Sequence, residues 1–265
     1  MSQEDFARRM SFYEHIDELR ARLMRCLAVF MVGFIGCYFV AEPIMSVLRQ
    51  PLFAAMAEEQ RKLYFTSLFE NFMTHLKIAG YASVFVLAPY FFYEVWAFIA
   101  PGLYPRERKM VVPFIFFATL FFVGGAAFAY FVLFPVGFKY FISYGGPSDV
   151  PLLTIANYYD TVLKLLLLFG IAFELPVFIV LLGYLGVVDA PMLRAQRRVA
   201  VIIISIIAAL FAPPDAMSML LLGIPLVLMY EGSIWVVQWL GVRRSRAPTD
   251  LVPKDEDPLR GKSKP

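Results

Sequence analysis

The residues of this chain that could carry chemistry are carboxylates. The sequence contains no Walker loop, no His-Glu-x-x-His zinc motif, no Gly-x-Ser-x-Gly elbow and no cysteine pairs at metal-binding spacing. Only His15 and His75 are available as histidines, and they give no basis for a histidine-based active site. We therefore expect neither an enzyme nor a bound metal or cofactor.

Glu174 is the acid deepest inside an apolar run, in the segment Phe173-Glu-Leu-Pro176. An ionisable side chain near the middle of a bilayer is costly, so it should face protein or water rather than lipid. It could be a buried hydrogen-bonding group between helices, but we favour a functional role because an apolar residue would pack there at less cost. Glu94 and Glu231 lie near the ends of apolar runs, where we expect their side chains to reach water at the headgroups.

Glu107 is an isolated acid in a short basic hinge between two apolar runs. Its neighbours are Arg106, Arg108 and Lys109, and the run that follows, Met110 to Phe138, has no charge over 29 residues. Such cations are typical of a cytoplasmic turn between membrane-spanning helices. Nothing about topology requires an acid there, which makes Glu107 a candidate for function.

The N-terminal segment predicts an amphipathic helix on the cytoplasmic membrane surface. Its apolar positions recur at helical spacing along one face and continue to Leu23. Glu14, Glu18 and Arg22 form a second stripe at a spacing of four. From composition alone we interpret this stripe as a solvated polar face.

The composition is that of an integral membrane protein with an all-α fold. Hydrophobic residues make up 60% of the chain and charged residues 17%. A span needs about 20 apolar residues, so short loops leave room for several spans and for no large soluble domain. We predict a membrane domain over residues 1–240 and, from its Pro- and charge-rich composition, a disordered cytoplasmic tail over 241–265. The six predicted spans are about 24–41, 68–100, 110–134, 160–184, 196–212 and 217–234.

Local signals shape these spans. Pro89 should kink the second span, and Ser67-Leu-Phe-Glu70 predicts a capping box at its start. Spans five and six have charge-free runs of only about 15 residues and should be short for an ordinary bilayer. Eighteen lysines and arginines lie on the side of the two termini and six on the other, which predicts that both termini are cytoplasmic.

Five separated blocks resemble one known family, in order along residues 11 to 240. The blocks are His15-Ile-Asp-Glu-Leu-Arg-x-Arg-Leu23, Val95-Trp-Ala-Phe-Ile-Ala-Pro-Gly-Leu-Tyr-x-x-Glu-Arg108, Ala127-Phe-Ala-Tyr-Phe131 with Phe134-Pro135, Phe173-Glu-Leu-Pro176, and Pro213-Pro-Asp215. The chain resembles the TatC family, the multi-spanning core subunit of the twin-arginine protein translocase. The resemblance implies a concave six-helix bundle in the bacterial cytoplasmic membrane.

The resemblance also implies a function and partners. A TatC-like protein would bind twin-arginine signal peptides of folded precursors, and would assemble with TatA- and TatB-type single-span subunits for export driven by the proton-motive force. We expect contact with membrane lipid, a homo-oligomer within the translocase complex and no nucleic acid.

The family's functional positions fall on particular residues of this chain. The implied signal-peptide site comprises Glu18, Glu107, Phe98, Arg20 and Arg108. The implied intramembrane contact for partner subunits is Glu174, and the implied functional residues of the outer loops are Pro51 and Asp215. Paired carboxylates suit an arginine pair, because guanidinium groups form planar charge-assisted hydrogen bonds that lysine cannot reproduce.

Glu94 departs from the family pattern, in which glutamine is usual before Val-Trp-Ala-Phe. It could add a third acid near the signal-peptide site or titrate among the headgroups. Two other functions stay open. A proton-coupled solute transporter would use Glu174 as its proton carrier, although spans one, three and five offer almost no polar groups to line a path. A passive assembly scaffold would tolerate replacement of Glu18 or Glu107.

Overall fold

The fold is helical throughout the part of the chain that the structure describes. A computed structural model describes residues 12–99, 111–143, 152–211 and 216–239. Within these ranges the only strand-like feature is an isolated bridge between Tyr64 and Thr154, so the all-α prediction is confirmed. The predicted tail, residues 241–265, lies outside the described residues.

Eleven α-helices, a 3₁₀ turn and a π-helical turn make up the described residues. They are α1 (Phe12–Phe39), α2 (Ala41–Leu48), α3 (Gln50–Ala55), the 3₁₀ turn Glu58–Gln60, α4 (Glu70–Val86), α5 (Ala88–Ile99), α6 (Val111–Phe128), the π-helical turn Ala129–Leu133, α7 (Phe134–Ser143), α8 (Ile155–Tyr184), α9 (Ala190–Ala195), α10 (Arg197–Phe211) and α11 (Ala216–Trp239).

The first helix is continuous, which corrects the prediction of a separate surface helix before span one. α1 runs for 28 residues without a proline, and Gly33 and Gly36 do not interrupt it. The polar stripe and the apolar run therefore belong to one rod. The stripe packs beside α5 instead of lying flat among headgroups, since Arg22 on α1 reaches Glu94 on α5.

The predicted kink in the second span is confirmed. α4 and α5 are separated at Leu87 and bent by 57°. Pro89 explains the break, because it lacks an N–H and its ring clashes with the carbonyl one turn earlier.

The predicted capping box is wrong, because Ser67 is not the N-cap of α4 and the Glu70 carboxylate bonds to other residues. The N-cap of α4 is Phe69, which makes no side-chain cap bond. The carboxylate of Glu70 instead accepts from the Thr66 amide at 2.6 Å, from the Thr66 hydroxyl at 2.9 Å and from the Ala156 amide at 2.8 Å. Glu70 thus ties the start of α4 to the start of α8, a contact that a local sequence pattern cannot show.

Glycines allow α6 and α8 to pack closely. A Cβ added at Gly125 would lie 2.3 Å from the Phe169 carbonyl oxygen, and one added at Gly170 would lie 2.9 Å from the Phe122 ring. Small residues at such a crossing let two backbones approach within van der Waals contact. α8 is therefore the central helix, with α6 on one side and α11 on another.

Tyrosines fix the short helices α2 and α3 onto the bundle. The Tyr158 hydroxyl donates to the Leu48 carbonyl at 2.6 Å, and the Tyr159 hydroxyl donates to the Met45 carbonyl at 2.8 Å. Both rings are buried, so each phenol group finds its hydrogen-bond partner on a carbonyl of the last turn of α2.

The lengths of the last two helices differ. α10 has 15 residues, about 22 Å at the helical rise, and is short as predicted. α11 has 24 residues, about 36 Å, and is longer than predicted. Glu231 does not end this helix, because it pairs with Arg197 at 2.7 Å and its charge is compensated.

Among the described residues, four helical segments are long and apolar enough to cross a membrane, and the bent pair of α4 and α5 makes five. α10 falls below that length. We call the end of the bundle that carries Glu94 and the start of α1 the Glu94 end, and the opposite end, with α2, α3 and the start of α8, the Glu70 end.

Candidate functional site

Two carboxylates share one guanidinium group at the Glu94 end. Arg22 donates from Nε and Nη2 to Glu18 Oε1, at 3.0 and 2.5 Å, and from Nη1 to Glu94 Oε2 at 2.9 Å. Glu18 and Arg22 are one turn apart on α1, and Glu94 comes from α5. The ion pairs therefore cross the interface between the first two spans.

Glu94 is the most buried member of this group. Its side chain is only 3% exposed, and it also receives the Tyr90 hydroxyl at 2.9 Å and the Arg25 guanidinium at 3.3 Å. A buried carboxylate needs such partners to offset the loss of water. The expectation that Glu94 reaches water at the headgroups is wrong, because two arginines of α1 draw it into the interface. We call Glu18, Arg22, Arg25, Tyr90 and Glu94 the acid–arginine cluster.

Glu18 keeps one carboxylate oxygen uncommitted. Oε1 accepts both bonds from Arg22, whereas Oε2 is buried and has no hydrogen-bond partner among the residues that the structure describes. A carboxylate can accept a bidentate guanidinium. The side chain is therefore placed to accept a further donor, and its interpretation as a solvated polar face is wrong.

Phe98 continues the cluster by one turn. It lies four residues after Glu94 on α5, and its ring stacks on His15 of α1 with centroids 4.3 Å apart and planes 18° from parallel. His15 is three residues before Glu18, so the stacked rings and the acids follow the same helix–helix seam. The structure thus brings together Phe98 and Glu18, two of the predicted site residues.

The other predicted signal-peptide residues are Arg20, Glu107 and Arg108. Arg20 is exposed on α1, and its position two residues from Glu18 puts it on a different helix face. Glu107 and Arg108 lie outside the described residues, as does Asp215 of the last outer loop. Pro51 is buried in the first turn of α3, at the Glu70 end.

Glu174 faces a groove of about 990 Å³ in the middle of the bundle. One of its oxygens, Oε1, is buried without a partner among the described residues. Lys164 and Thr161 of α8 line the same groove nearer the Glu70 end. The apolar walls come from α4, α8, α10 and α11, and include Tyr81, Leu168, Phe178, Ile204, Ile207, Leu210 and Leu226.

The sequence as a whole matches one family model. The model described as "Sec-independent protein translocase protein (TatC)" matches residues 14–225. This chain belongs to the TatC family.

TatC relatives agree with that assignment over most of the chain. The protein is 38% identical over 234 residues to a TatC of Desulforapulum autotrophicum, covering 88% of this chain and 86% of the relative. It is 37% identical over 248 residues to a TatC of Magnetococcus marinus, covering 94% and 90%. A solved structure described as "Crystal Structure of Twin Arginine Translocase Receptor- TatC" superposes with a TM-score of 0.75 at 31% identity, covering 86% of this chain and all of that one.

As a TatC-family protein, the chain is a membrane subunit of a protein translocase and not an enzyme. The sequence pointed to Glu18 and Phe98 and put Arg22 on the same stripe as Glu18, but it missed that Glu94 shares Arg22. The spacing of Glu18 and Arg22, and that of Tyr90 and Glu94, indicates two separate pairs on two helices. The two pairs form one cluster only because α1 packs against α5, and no local spacing shows that packing.

Proposed function

We propose that this TatC-family protein is the signal-peptide receptor and core subunit of its translocase. It binds the paired arginines of signal peptides on folded precursors, and it assembles with TatA- and TatB-type single-span subunits for export driven by the proton-motive force. The observation that carries the proposal is the Glu18 carboxylate, which already holds one guanidinium and keeps a second oxygen uncommitted.

The chemistry of the Glu94 end suits an arginine pair. Arg22 demonstrates that Glu18 accepts a guanidinium in this environment, with two donors on one oxygen. Glu18 is 18% exposed, so a ligand can reach it while much of the surrounding water is excluded, which strengthens charge-assisted hydrogen bonds. The stacked Phe98 and His15 extend an aromatic surface beside it, and Glu107, Arg20 and Arg108 complete the proposed site.

The proposed orientation puts the Glu94 end in the bacterial cytoplasm. Lysines and arginines are concentrated on the side of the two chain ends, eighteen against six, which is the distribution of a protein with both termini inside. Signal peptides of folded precursors would then meet the acids on the side where those precursors are made. The spans contact lipid on their outer faces.

The groove at Glu174 suits a transmembrane helix of a partner subunit. Its walls are apolar, and Glu174 Oε1 lacks a partner among the described residues. A polar side chain on an entering helix would satisfy that oxygen, and interhelical hydrogen bonds of this kind hold membrane helices together. Pro51 and Asp215 are assigned to the outer side, and further copies of this chain are expected in the assembled complex.

The alternative of a proton-coupled solute transporter is less well supported. Three of the polar groups that line the groove, Glu174, Lys164 and Thr161, lie on α8, and among the described residues only the Tyr81 hydroxyl of α4 comes from another helix. A transport path would need polar groups from facing helices, and the family is one of protein translocases.

The test is binding of a synthetic twin-arginine signal peptide to the detergent-purified protein, compared with its twin-lysine version. We expect Glu18→Gln and Glu107→Gln each to lower the affinity for the twin-arginine peptide by about ten- to a hundredfold. This is the contribution of one charge-assisted hydrogen-bonded pair. Glu231→Gln is the matched control, since Glu231 is also an ion-paired acid near the Glu94 end but lies outside the cluster. Equal binding of both peptides, unaffected by Glu18→Gln, would rule out the receptor role.

A further inference from the structure

We infer that Arg22 is an internal competitor for the arginine pair, and that Glu94 holds Arg22 when a signal peptide takes its place on Glu18. The inference rests on the proposed receptor function and adds a residue that sets its affinity. Its basis is one shared guanidinium: Arg22 bonds Glu18 through Nε and Nη2 and Glu94 through Nη1.

Arg22 occupies the chemical position that an incoming arginine needs. Glu18 carries one negative charge, and its Oε1 is already saturated by two N–H donors of the same group. Oε2 has no hydrogen-bond partner among the described residues, but it is buried, so a peptide guanidinium reaches this carboxylate by displacing Arg22. The peptide therefore competes with Arg22, and the measured affinity is a difference between two guanidinium–carboxylate interactions.

Glu94 makes the release of Arg22 possible. Arg22 is only 16% exposed, so without Glu94 the loss of Glu18 would leave a largely buried cation without compensation. The Nη1 bond to Glu94 persists when the Glu18 bonds break. Glu94 also has its own fixed donors, Tyr90 at 2.9 Å and Arg25 at 3.3 Å, which keep its carboxylate at the interface.

The competition acts on arginine and lysine alike. An incoming arginine can replace the planar fork of Arg22 donor for donor, whereas an ammonium group is a compact charge that does not match the fork geometry. Arginine therefore displaces Arg22 better than lysine does. Displacing Arg22 costs both peptides the same free energy, so Arg22 lowers both affinities by one factor and leaves their ratio unchanged.

The experiment measures affinities of the twin-arginine and twin-lysine peptides in Arg22→Gln, Glu94→Gln and the double variant. We expect Arg22→Gln to bind both peptides more tightly than wild type by a similar factor of about ten, with the arginine-to-lysine preference unchanged, because the competitor that both peptides displace is gone. We expect Glu94→Gln to weaken twin-arginine binding by about threefold to tenfold, since Arg22 then has only Glu18 as a carboxylate. In the double variant the effect of Glu94→Gln should vanish.

Arg22→Lys keeps the fold and the function distinguishable. It retains a cation for Glu18 and Glu94 but loses the fork, so its twin-arginine affinity should fall between those of wild type and Arg22→Gln while its thermal unfolding stays close to wild type. The inference is overturned if well-folded Arg22→Gln binds the twin-arginine peptide no more tightly than wild type, or if Arg22→Gln tightens binding of only one of the two peptides. It is also overturned if Glu94→Gln weakens binding equally with and without Arg22, since Glu94 would then contact the peptide itself. Failure of the receptor proposal differs from all three, because Glu18→Gln would then have no effect.

Discussion

The two ends of the bundle each bury a glutamate of the second span, but they satisfy its charge in different ways. Glu70 is 8% exposed and accepts from two backbone amides and a hydroxyl. Glu94 is 3% exposed and accepts mainly from arginine side chains on another helix. Backbone amides cannot leave, whereas guanidinium groups on long side chains can exchange partners. The type of donor therefore separates a structural clasp at Glu70 from an exchangeable site at Glu94.

The comparison is tested most strongly by replacing each acid with its amide. In Glu70→Gln, the NH₂ group must face an N–H donor, since Oε1 and Oε2 of Glu70 each accept one amide. We expect the largest loss of stability here, a fall of several degrees in the thermal unfolding midpoint in detergent, with signal-peptide affinity unchanged. An unfolding midpoint equal to that of wild type would show that Glu70 is not a clasp.

The corresponding change at the other end should be mild for the fold. In Glu94→Gln, the amide oxygen can accept from Arg22 while the NH₂ group donates to the Tyr90 hydroxyl oxygen, and Arg25 is exposed enough to turn to water. We expect a loss of about 1 kcal/mol or less in the free energy of unfolding. A loss as large as that of Glu70→Gln would mean that the cluster is a rigid structural element.

Salt should separate the two ends without any substitution. Raising the ionic strength from about 0.1 to 1 M shortens the Debye length from about 10 to 3 Å. We expect twin-arginine peptide affinity to fall several-fold over this range, while the thermal unfolding midpoint changes little, because the clasp at Glu70 uses neutral donors. Titration of labelled peptide at each salt concentration gives the first quantity, and thermal unfolding of the same samples gives the second.

The smallest effect is expected at an exposed ion pair of the Glu70 end. Lys77 and Asp160 are 2.7 Å apart, but their side chains are 46% and 33% exposed. Such surface pairs contribute about 0.2 to 1 kcal/mol. We expect Asp160→Asn to lower the free energy of unfolding by no more than that, and the charge-swapped Lys77→Asp, Asp160→Lys double variant to recover most of it. A large effect would mean that the clasp extends beyond Glu70.

Sequence reasoning succeeded where the signal was local. Pro89 removes a donor from its own helix, so its kink follows from its identity. Glu174 stood out because a charge inside an apolar run is visible in the sequence alone, whereas Glu18 was assigned to the site only by the family resemblance. The family resemblance depended on short blocks with fixed spacing.

Sequence reasoning failed where the hydrogen-bond or ion-pair partner of a side chain lies far away in the sequence. Ser67 was expected to cap α4, but Glu70 turned to Thr66 and to Ala156, 86 residues on. Glu94 was expected in the headgroups because it lies near the end of an apolar run, and the last span was expected to end at about residue 234 because Glu231 ends its charge-free run. Arg22 and Arg197 pair with them from other helices, and the distance between such residues is set by tertiary packing.

The bend at Leu87 has a mechanical consequence. α1 is one rod of 28 residues, and it crosses both arms of the bent span. Beyond the bend it is fastened by Arg22 to Glu94, and at the bend a Cβ on Gly33 would lie 2.6 Å from the Leu87 side chain. A rod fixed to both arms of a joint holds the joint at one angle. A force on the start of α1 would therefore move α5 together with α1. The 57° angle between α4 and α5 would stay unchanged during that movement.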